Sequence, residues 1–293
     1  MSRISHWEGT SLNFELLFCT DVLRLSSLHY GYWDLQEGTD LERMRAAQAR
    51  YTETLLQIIP ECVETVLDVG CGVGDVASAL VQKGHSVTAV SPDRNHARFF
   101  GDRNGGRLDF HNVKFEDFDS GQKYDLVLMS ESQNYFAMDA GFSQSKKHLR
   151  RGGYLLVSGI FKKRNVDGFE DCHIEEEYIR RAESHNLVLE KYLDITENIL
   201  PTLEFAGQCL EGYLTPSLKV LGRYLGNRAQ IKLKLLKLLF AKEIRQMAQV
   251  LEYYEERFDP RLFRDHMKYS RLLFSCKGEQ DPQPGGSRPA PAG

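Results

Sequence analysis

The run Val66-Leu67-Asp68-Val69-Gly70-Cys71-Gly72-Val73-Gly74-Asp75 constrains this chain more than any other stretch. A short, largely β-branched run carries an aspartate near its end. Glycine then takes every second position, and a helix-forming stretch begins at Val76. The pattern predicts a strand, a tight turn and a helix start. Glycine is needed where a backbone turns sharply and must let a ligand touch it, because it has no Cβ. The helix behind the turn offers unpaired N–H groups and the positive end of its dipole. The stretch reads as the binding loop for a nucleotide-like ligand.

Which nucleotide is the next question. Gly72-Val73-Gly74-Asp75-Val76-Ala77 fits the dinucleotide pattern G-x-G-x-x-A, which would make the chain a nicotinamide-dependent oxidoreductase. A pyrophosphate at that loop would be repelled by an acid beside it. Asp68 argues instead for a ligand with an amino-acid end and a sulfonium. Taken whole, D-V-G-C-G-V-G-D resembles the first motif of the class I S-adenosylmethionine-dependent methyltransferases.

The chain has 293 residues, enough for one large α/β domain with an elaborated lid. Its formal net charge of −4 gives no reason to expect nucleic-acid binding. Its six cysteines form neither a C-x-x-C pair nor a metal-ligand cluster, so no metal site and no disulfide framework are expected. The apolar run at 16–18 is short and Asp21 follows it, so neither a signal peptide nor a transmembrane segment is expected. The expected setting is reducing and cytoplasmic.

Residues 1–60 read as an N-terminal helical segment. Asp40 or Thr39 can cap a helix over 41–59 that Pro60 ends. Before it lies the aromatic segment Leu28-His29-Tyr30-Gly31-Tyr32-Trp33-Asp34. From 61 onward, short apolar runs alternate with helical stretches, the pattern of a parallel sheet with crossovers. Strands are expected at 65–69, 86–90, 108–113, 124–130, 153–159, 187–195 and 268–276. Helices are expected at 75–83, 141–149 and 174–185. Residues 61–196 with 267–278 make the core, and 197–266 make a helical lid between the sixth and seventh strands. The tail over 279–293 is rich in Pro, Gly and Ser and is expected to be disordered.

Seven strands in this order are again similar to the class I methyltransferase fold, a Rossmann-like, mostly parallel sheet with an antiparallel seventh strand between the fifth and sixth. The likeness is greatest to the small-molecule branch that includes tocopherol, sterol and sugar methyltransferases. It implies S-adenosyl-L-methionine as cofactor. It implies that Asp68, Gly70, Cys71, Gly72 and Gly74 hold the methionine half. Ser91 or Asp93 would take the ribose; Asp93 also reads as a helix cap. Phe115 and Glu116 would face the adenine, with core packing the other reading of Phe115. Ser130 would border cofactor and substrate, and Tyr30 would wall the site. Related enzymes often read E-S-x-x-H after the fourth strand, and the histidine is the natural base. Here the loop is Glu131-Ser132-Gln133-Asn134-Tyr135. The base is then Glu131, Tyr135 or His29, or none is needed. A protein that binds the cofactor without turnover stays open as an alternative.

The lid carries Lys219, Arg223, Arg228, Lys232, Lys234, Lys237, Lys242 and Arg245, with apolar residues between them. Stretch 231–240 reads either as a helix touching a membrane surface or as a lid helix with its lysines in water. Together these features predict a methyltransferase for a small, apolar or amphipathic metabolite. They leave the acceptor atom and the oligomeric state open.

Overall fold

In the computed structural model, residues 14–35, 38–101, 106–228 and 258–277 are described. Strands β1 (Thr65–Val69), β2 (Ser86–Val90), β3 (Leu108–His111), β4 (Tyr124–Ser130), β5 (Leu149–Lys162), β6 (Leu187–Asp194) and β7 (Met267–Cys276) form one sheet. Its order is β3-β2-β1-β4-β5-β7-β6. The first five are parallel, and β7 runs antiparallel to both β5 and β6. Strand order reverses between β1 and β4, so the glycine loop leaves the sheet at its switch point, where open α/β sheets bind ligands.

Both faces of the sheet are covered, which is why its central strands read as near-continuous apolar runs. One face packs against α2 (Leu41–Leu56), α3 (Asp75–Gln82), α6 (Thr196–Gly207) and α8 (Pro260–His266), through Tyr51, Leu55, Leu80, Ile199, Leu203 and Phe263. The other packs against α4 (Met138–His148) and α5 (Glu175–Ser184), through Phe142, Tyr178 and Ala182. Asp40 is the cap of α2, its side chain accepting from the Arg43 N–H at 2.8 Å. Helix α2 stops at Leu56, three residues before the expected end.

Four strands differ from expectation at their ends, β6 and β7 by one residue each. β3 stops at His111 rather than 113. β5 starts four residues early and runs three residues further, to Lys162. The early part pairs through a register shift opposite Tyr124 to Leu126, so the Arg151-Gly152-Gly153 turn is a bulge within the strand. The late part pairs with β7, Lys162 opposite Met267.

At the N-terminus, α1 (Phe14–Leu17) continues as a π-helical turn to Val22. After α6, a π-helical turn (Gln208–Leu214) leads into α7 (Thr215–Arg228). The basic apolar stretch 231–240 and the tail from 279 lie outside the described residues. No helix among the described residues is long and apolar enough to cross a membrane. No group of three or more His, Cys, Asp or Glu among them could hold a metal ion.

The aromatic segment is laid across α2 and α6. The Tyr32 N–H donates to the Ala47 carbonyl at 2.8 Å, and the Trp33 N–H to Asn198 O at 2.8 Å. Thr202 Oγ1, on α6, accepts from the Gly31 N–H at 3.0 Å and from Trp33 Nε1–H at 2.8 Å. Trp33 itself is fully buried. Thr202→Val keeps the shape and strands two buried donors. Each unmade bond costs about 1–3 kcal/mol, so a loss of roughly 2 kcal/mol or more is expected in denaturant unfolding. A loss below 0.5 kcal/mol would show that water replaces the hydroxyl and that α6 does not hold the segment.

Candidate functional site

The loop after β1 turns through three left-handed residues, Gly70, Gly72 and Gly74, with φ of 76°, 53° and 79°. The Gly70 N–H donates to Val90 O at 2.8 Å, which ties the loop to the end of β2. The three glycines serve two ends. A Cβ on Gly70 would sit 2.4 Å from Ser132 Cβ, and one on Gly74 would sit 2.7 Å from the Phe100 ring. Those two allow close packing. A Cβ on Gly72 would meet nothing nearer than Leu28 Cδ1 at 3.8 Å. Gly72 is the position that faces open space.

Asp68 stands behind this loop, 2 % exposed. Its Oδ2 is buried and has no hydrogen-bond partner. Burial, helped by the Asp75 charge, pushes its carboxyl up to about 7. A buried orphan acid beside an open glycine turn fits a ligand that brings a cation, and the ammonium of an amino-acid moiety is one. Cys71 is buried next to it, and burial pushes its thiol far up, away from nucleophilic use.

Asp75 opens α3 and faces the N-terminal segment. It accepts from Ser27 Oγ at 2.6 Å and from His29 Nε2 at 2.8 Å. His29 Nδ1 donates to the Tyr30 carbonyl at 2.7 Å. Nε2 also lies 3.1 Å from Thr52 Oγ1, so the ring has both nitrogens engaged by the protein. Burial alone would depress its pKa, but the Asp75 carboxylate and then Glu131 outweigh it and raise it. Asp75 is also buried, and His29 and Ser27 nonetheless hold its carboxyl below the usual range. His29 thus clasps the aromatic segment to the glycine-loop helix, with both ring nitrogens taken up by protein partners.

Glu131, the first residue after β4, is brought into the site. It takes a left-handed backbone, φ 61°. Its Oε1 accepts from the Tyr30 N–H at 2.9 Å and from Tyr269 Oη at 2.5 Å. Tyr51 Oη lies 2.9 Å from Ser130 Oγ, 2.8 Å from Ser158 Oγ and 2.9 Å from Tyr269 Oη. The Arg271 guanidinium covers the Tyr51 ring at 4.7 Å and the Tyr32 ring at 5.7 Å. The Tyr30 ring leans on Tyr269 at 5.7 Å. Tyr51, Ser158, Tyr269 and Arg271 carry no sequence signal: their hydroxyls meet across as many as 218 residues. Tyr135 is 65 % exposed and none of the contacts just given involves it.

The ribose and adenine candidates are placed less simply. Ser91 Oγ bonds His96 Nδ1 at 2.8 Å, and it accepts from the Asp93 N–H. Asp93 Oδ1 accepts from the N–H and the side-chain amide of Asn95, both at 2.8 Å, so Asp93 caps the turn over Arg94–Phe99. Phe115 is buried in the core, its ring 5.5 Å from Phe136. That position is the core-packing reading, not a free adenine cover. Glu116 beside it is exposed.

A family model described as a methyltransferase domain matches residues 41–186, the stretch that carries the glycine loop and β1 to β5. Residues 41–186 are thus a methyltransferase domain of the class I S-adenosylmethionine-dependent type. Its cofactor is S-adenosyl-L-methionine. This methyltransferase is 33 % identical over 131 residues to the ribosomal protein L11 methyltransferase of Campylobacter concisus, covering 42 % of this chain and 45 % of that protein. It is 22 % identical over 149 residues to a ubiquinone biosynthesis O-methyltransferase of Rickettsia prowazekii, covering 45 % and 59 %. The chain thus spans about half the length of these curated relatives. The geranyl diphosphate C-methyltransferase of Streptomyces coelicolor shares the fold, with a TM-score of 0.65, 15 % identity, and coverage of 93 % of this chain and 96 % of that one.

Two outcomes follow from the loop. Gly70→Ala is expected to cost on the order of 2–4 kcal/mol in thermal or denaturant unfolding, because its Cβ is driven into Ser132 at a left-handed φ. Gly72→Ala is expected to cost only about 1–2 kcal/mol, yet to weaken S-adenosylhomocysteine binding at least tenfold by calorimetry. Wild-type affinity in Gly72→Ala would overturn the loop assignment.

Asp68 gives a pH signature. The unfolded carboxyl loses its proton near 3.8, whereas the folded one keeps it to about 7. Between those values the folded state binds more protons, so stability of the ligand-free protein falls as pH rises, by roughly 4 kcal/mol across the window. Asp68→Asn is expected to remove the Asp68 part of that fall in unfolding midpoints measured from pH 4 to 8. An identical pH profile in wild type and variant would mean that water already solvates Asp68.

Proposed function

We propose that this methyltransferase transfers a methyl group from S-adenosyl-L-methionine to a small, apolar or amphipathic metabolite. The observation that carries the reading is the orphan carboxyl oxygen of Asp68 beside the open face of Gly72. Asp68 would receive the cofactor's ammonium, and the Gly70–Gly74 turn would let its methionine half lie against the backbone. Tyr30 would wall the site, its N–H held by Glu131. Ser91, Asp93, Phe115, Glu116 and Ser130 remain candidates for the ribose, adenine and border positions, with the first two free to help only by leaving their turn contacts.

The cofactor, when bound, supplies an electrophilic methyl on a sulfonium with a neutral leaving group. The chain's own task is then alignment, close approach and exclusion of water. The aromatic segment and α6 roof the carboxyl edge of the sheet, and a roofed edge suits a small acceptor better than a protein chain. The ubiquinone relative's printed name fits such an acceptor. The ribosomal-protein relative acts on another class, but the match to it covers less than half of that protein. Where the acceptor must lose a proton, Glu131 would take it; its carboxylate at the end of β4, beside Tyr30, supports that reading.

The test is release of S-adenosylhomocysteine from S-adenosylmethionine across a panel of phenolic, quinol and prenyl acceptors. Cofactor binding with no release across the panel would favour a binder without turnover. For a hydroxyl acceptor, Glu131→Gln is expected to lower kcat about 100-fold or more, with cofactor affinity within a few-fold of wild type. Unchanged kcat would leave Glu131 the single task of holding Tyr30.

A further inference from the structure

Lys162 closes β5, at the carboxyl edge of the sheet, and is 6 % exposed. A lysine so buried is almost always paired. Among the described residues the Lys162 ammonium makes no hydrogen bond and no ion pair. Nor is it one of the sealed polar atoms without a partner: its stem is enclosed while its head keeps an opening.

Strand geometry tells which way it faces. Ser158 turns its hydroxyl to Tyr51. Side chains two and four residues on share that face, so Ile160 and Lys162 lie on the side of Tyr51, Tyr269 and Glu131. Register gives the separation. Ser158 pairs with Ser130, the last residue of β4, and Lys162 is four residues further. At about 3.3 Å per residue, the Lys162 backbone lies roughly 13 Å beyond Ser130 along the strand. One face of the sheet edge thus carries a carboxylate and, further along β5, an unpaired cation.

The nearby groups leave that charge standing. Glu131 is held by Tyr30 and Tyr269. Glu175 is held by Lys268 at 3.0 Å and by Ser270. His173 is kept below its usual pKa, first by burial and further by the Lys162 charge, so it adds no counter-charge. The neighbouring Lys163 differs: its ammonium donates to Arg264 O at 2.6 Å and its N–H to His266 O at 2.9 Å, which fastens α8 to the strand. The Lys162 N–H donates to His173 O at 2.8 Å, but its ammonium, unlike that of Lys163, has no partner among the described residues.

We propose that Lys162 recognises an anionic group on the methyl acceptor, which is therefore an amphipathic carboxylate or phosphate ester with its charged end at the tip of β5. The proposal rests on the methyl-transfer reading for the other end of that acceptor. An unpaired buried cation under a roofed edge is a poor choice for stability but suits a ligand that completes the pair, since specificity then comes from the charge the ligand must bring.

The experiment uses the full chain saturated with S-adenosylhomocysteine. Decanoate, decyl phosphate and decanol are titrated by calorimetry into wild type, Lys162→Met and Lys162→Arg. Wild type is expected to bind decanoate or decyl phosphate at least tenfold more tightly than decanol. The tighter of the two tells a carboxylate from a phosphate. Lys162→Met keeps the stem and loses the charge, so its anion affinity is expected to fall to that of decanol, with the unfolding midpoint held or raised. Lys162→Arg is expected to retain most of the preference. Equal binding of all three probes by wild type, or an unchanged preference in a folded Lys162→Met, overturns the proposal. If wild type fails to bind S-adenosylhomocysteine, it is the methyl-transfer reading that falls, and the same three titrations without cofactor still decide Lys162.

Discussion

A carboxylate can only accept hydrogen bonds, and much of this site follows from that fact applied to Glu131. Tyr269 has one hydroxyl proton and must give it to Glu131. Its oxygen is then an acceptor for Tyr51, which spends its own proton there. Tyr51 has none left for Ser130 or Ser158, so both serines donate to it. One charge thus sets the direction of a hydroxyl chain through α2, β4, β5 and β7. The Tyr30 N–H adds the aromatic segment to the same oxygen. Glu131 holds a left-handed backbone that costs a non-glycine residue about 1–3 kcal/mol. The bonds it collects offset that cost. Elements up to 218 residues apart in sequence are held to one atom's geometry.

The charges around this chain are unequal in their satisfaction, and the inequality is informative. His29 and Asp75 meet at 2.8 Å and each shifts the other toward its ionised form. Arg271, only 2 % exposed, has no carboxylate but spreads its charge over Tyr51 and Tyr32 and donates to Thr54 and to the Tyr51 carbonyl. Asp68 has neither pair nor donor on its Oδ2. Burying a carboxylate this way is expensive, and the cost is returned only when a cation arrives. The Asp75 charge adds to the burial that raises the Asp68 carboxyl, so the glycine loop and the His29 clasp share one electrostatic neighbourhood.

What the sequence made legible was local. Strands β1, β2 and β4 end where their apolar runs end, because both faces are covered and turn residues bound them. β5 was misjudged at both ends for one reason. Arg150-Arg151-Gly152 and Lys162-Lys163 look like strand breakers, and pairing with β4 and β7 overrides the look. The glycine loop was readable since its three left-handed turns are made by glycines that lie close together in the sequence. The role of His29 was not, because its meaning depends on Asp75, 46 residues later. Phe115 and Asp93 took their plainer readings, a core ring and a cap. Tyr51, Tyr269 and Arg271 were invisible: on a helix or strand they look like ordinary amphipathic positions.

The loop after β4 is pinned to the strands on both sides of it. Ser132 Oγ donates to Val69 O, which locks the loop to β1. The side-chain amides of Gln133 and Asn134 both donate to Ile160 O, which locks it to β5. His173 clasps the same loop from outside, through the carbonyls of Gln133 and Phe136. Every polar side chain between Glu131 and Tyr135 is thus committed to the neighbouring strands, and Tyr135 faces solvent. A base at the loop's far end would need those anchors to give way. The loop's first residue, Glu131, instead turns its side chain away from those strands' carbonyls, to the Tyr30 N–H and the Tyr269 hydroxyl.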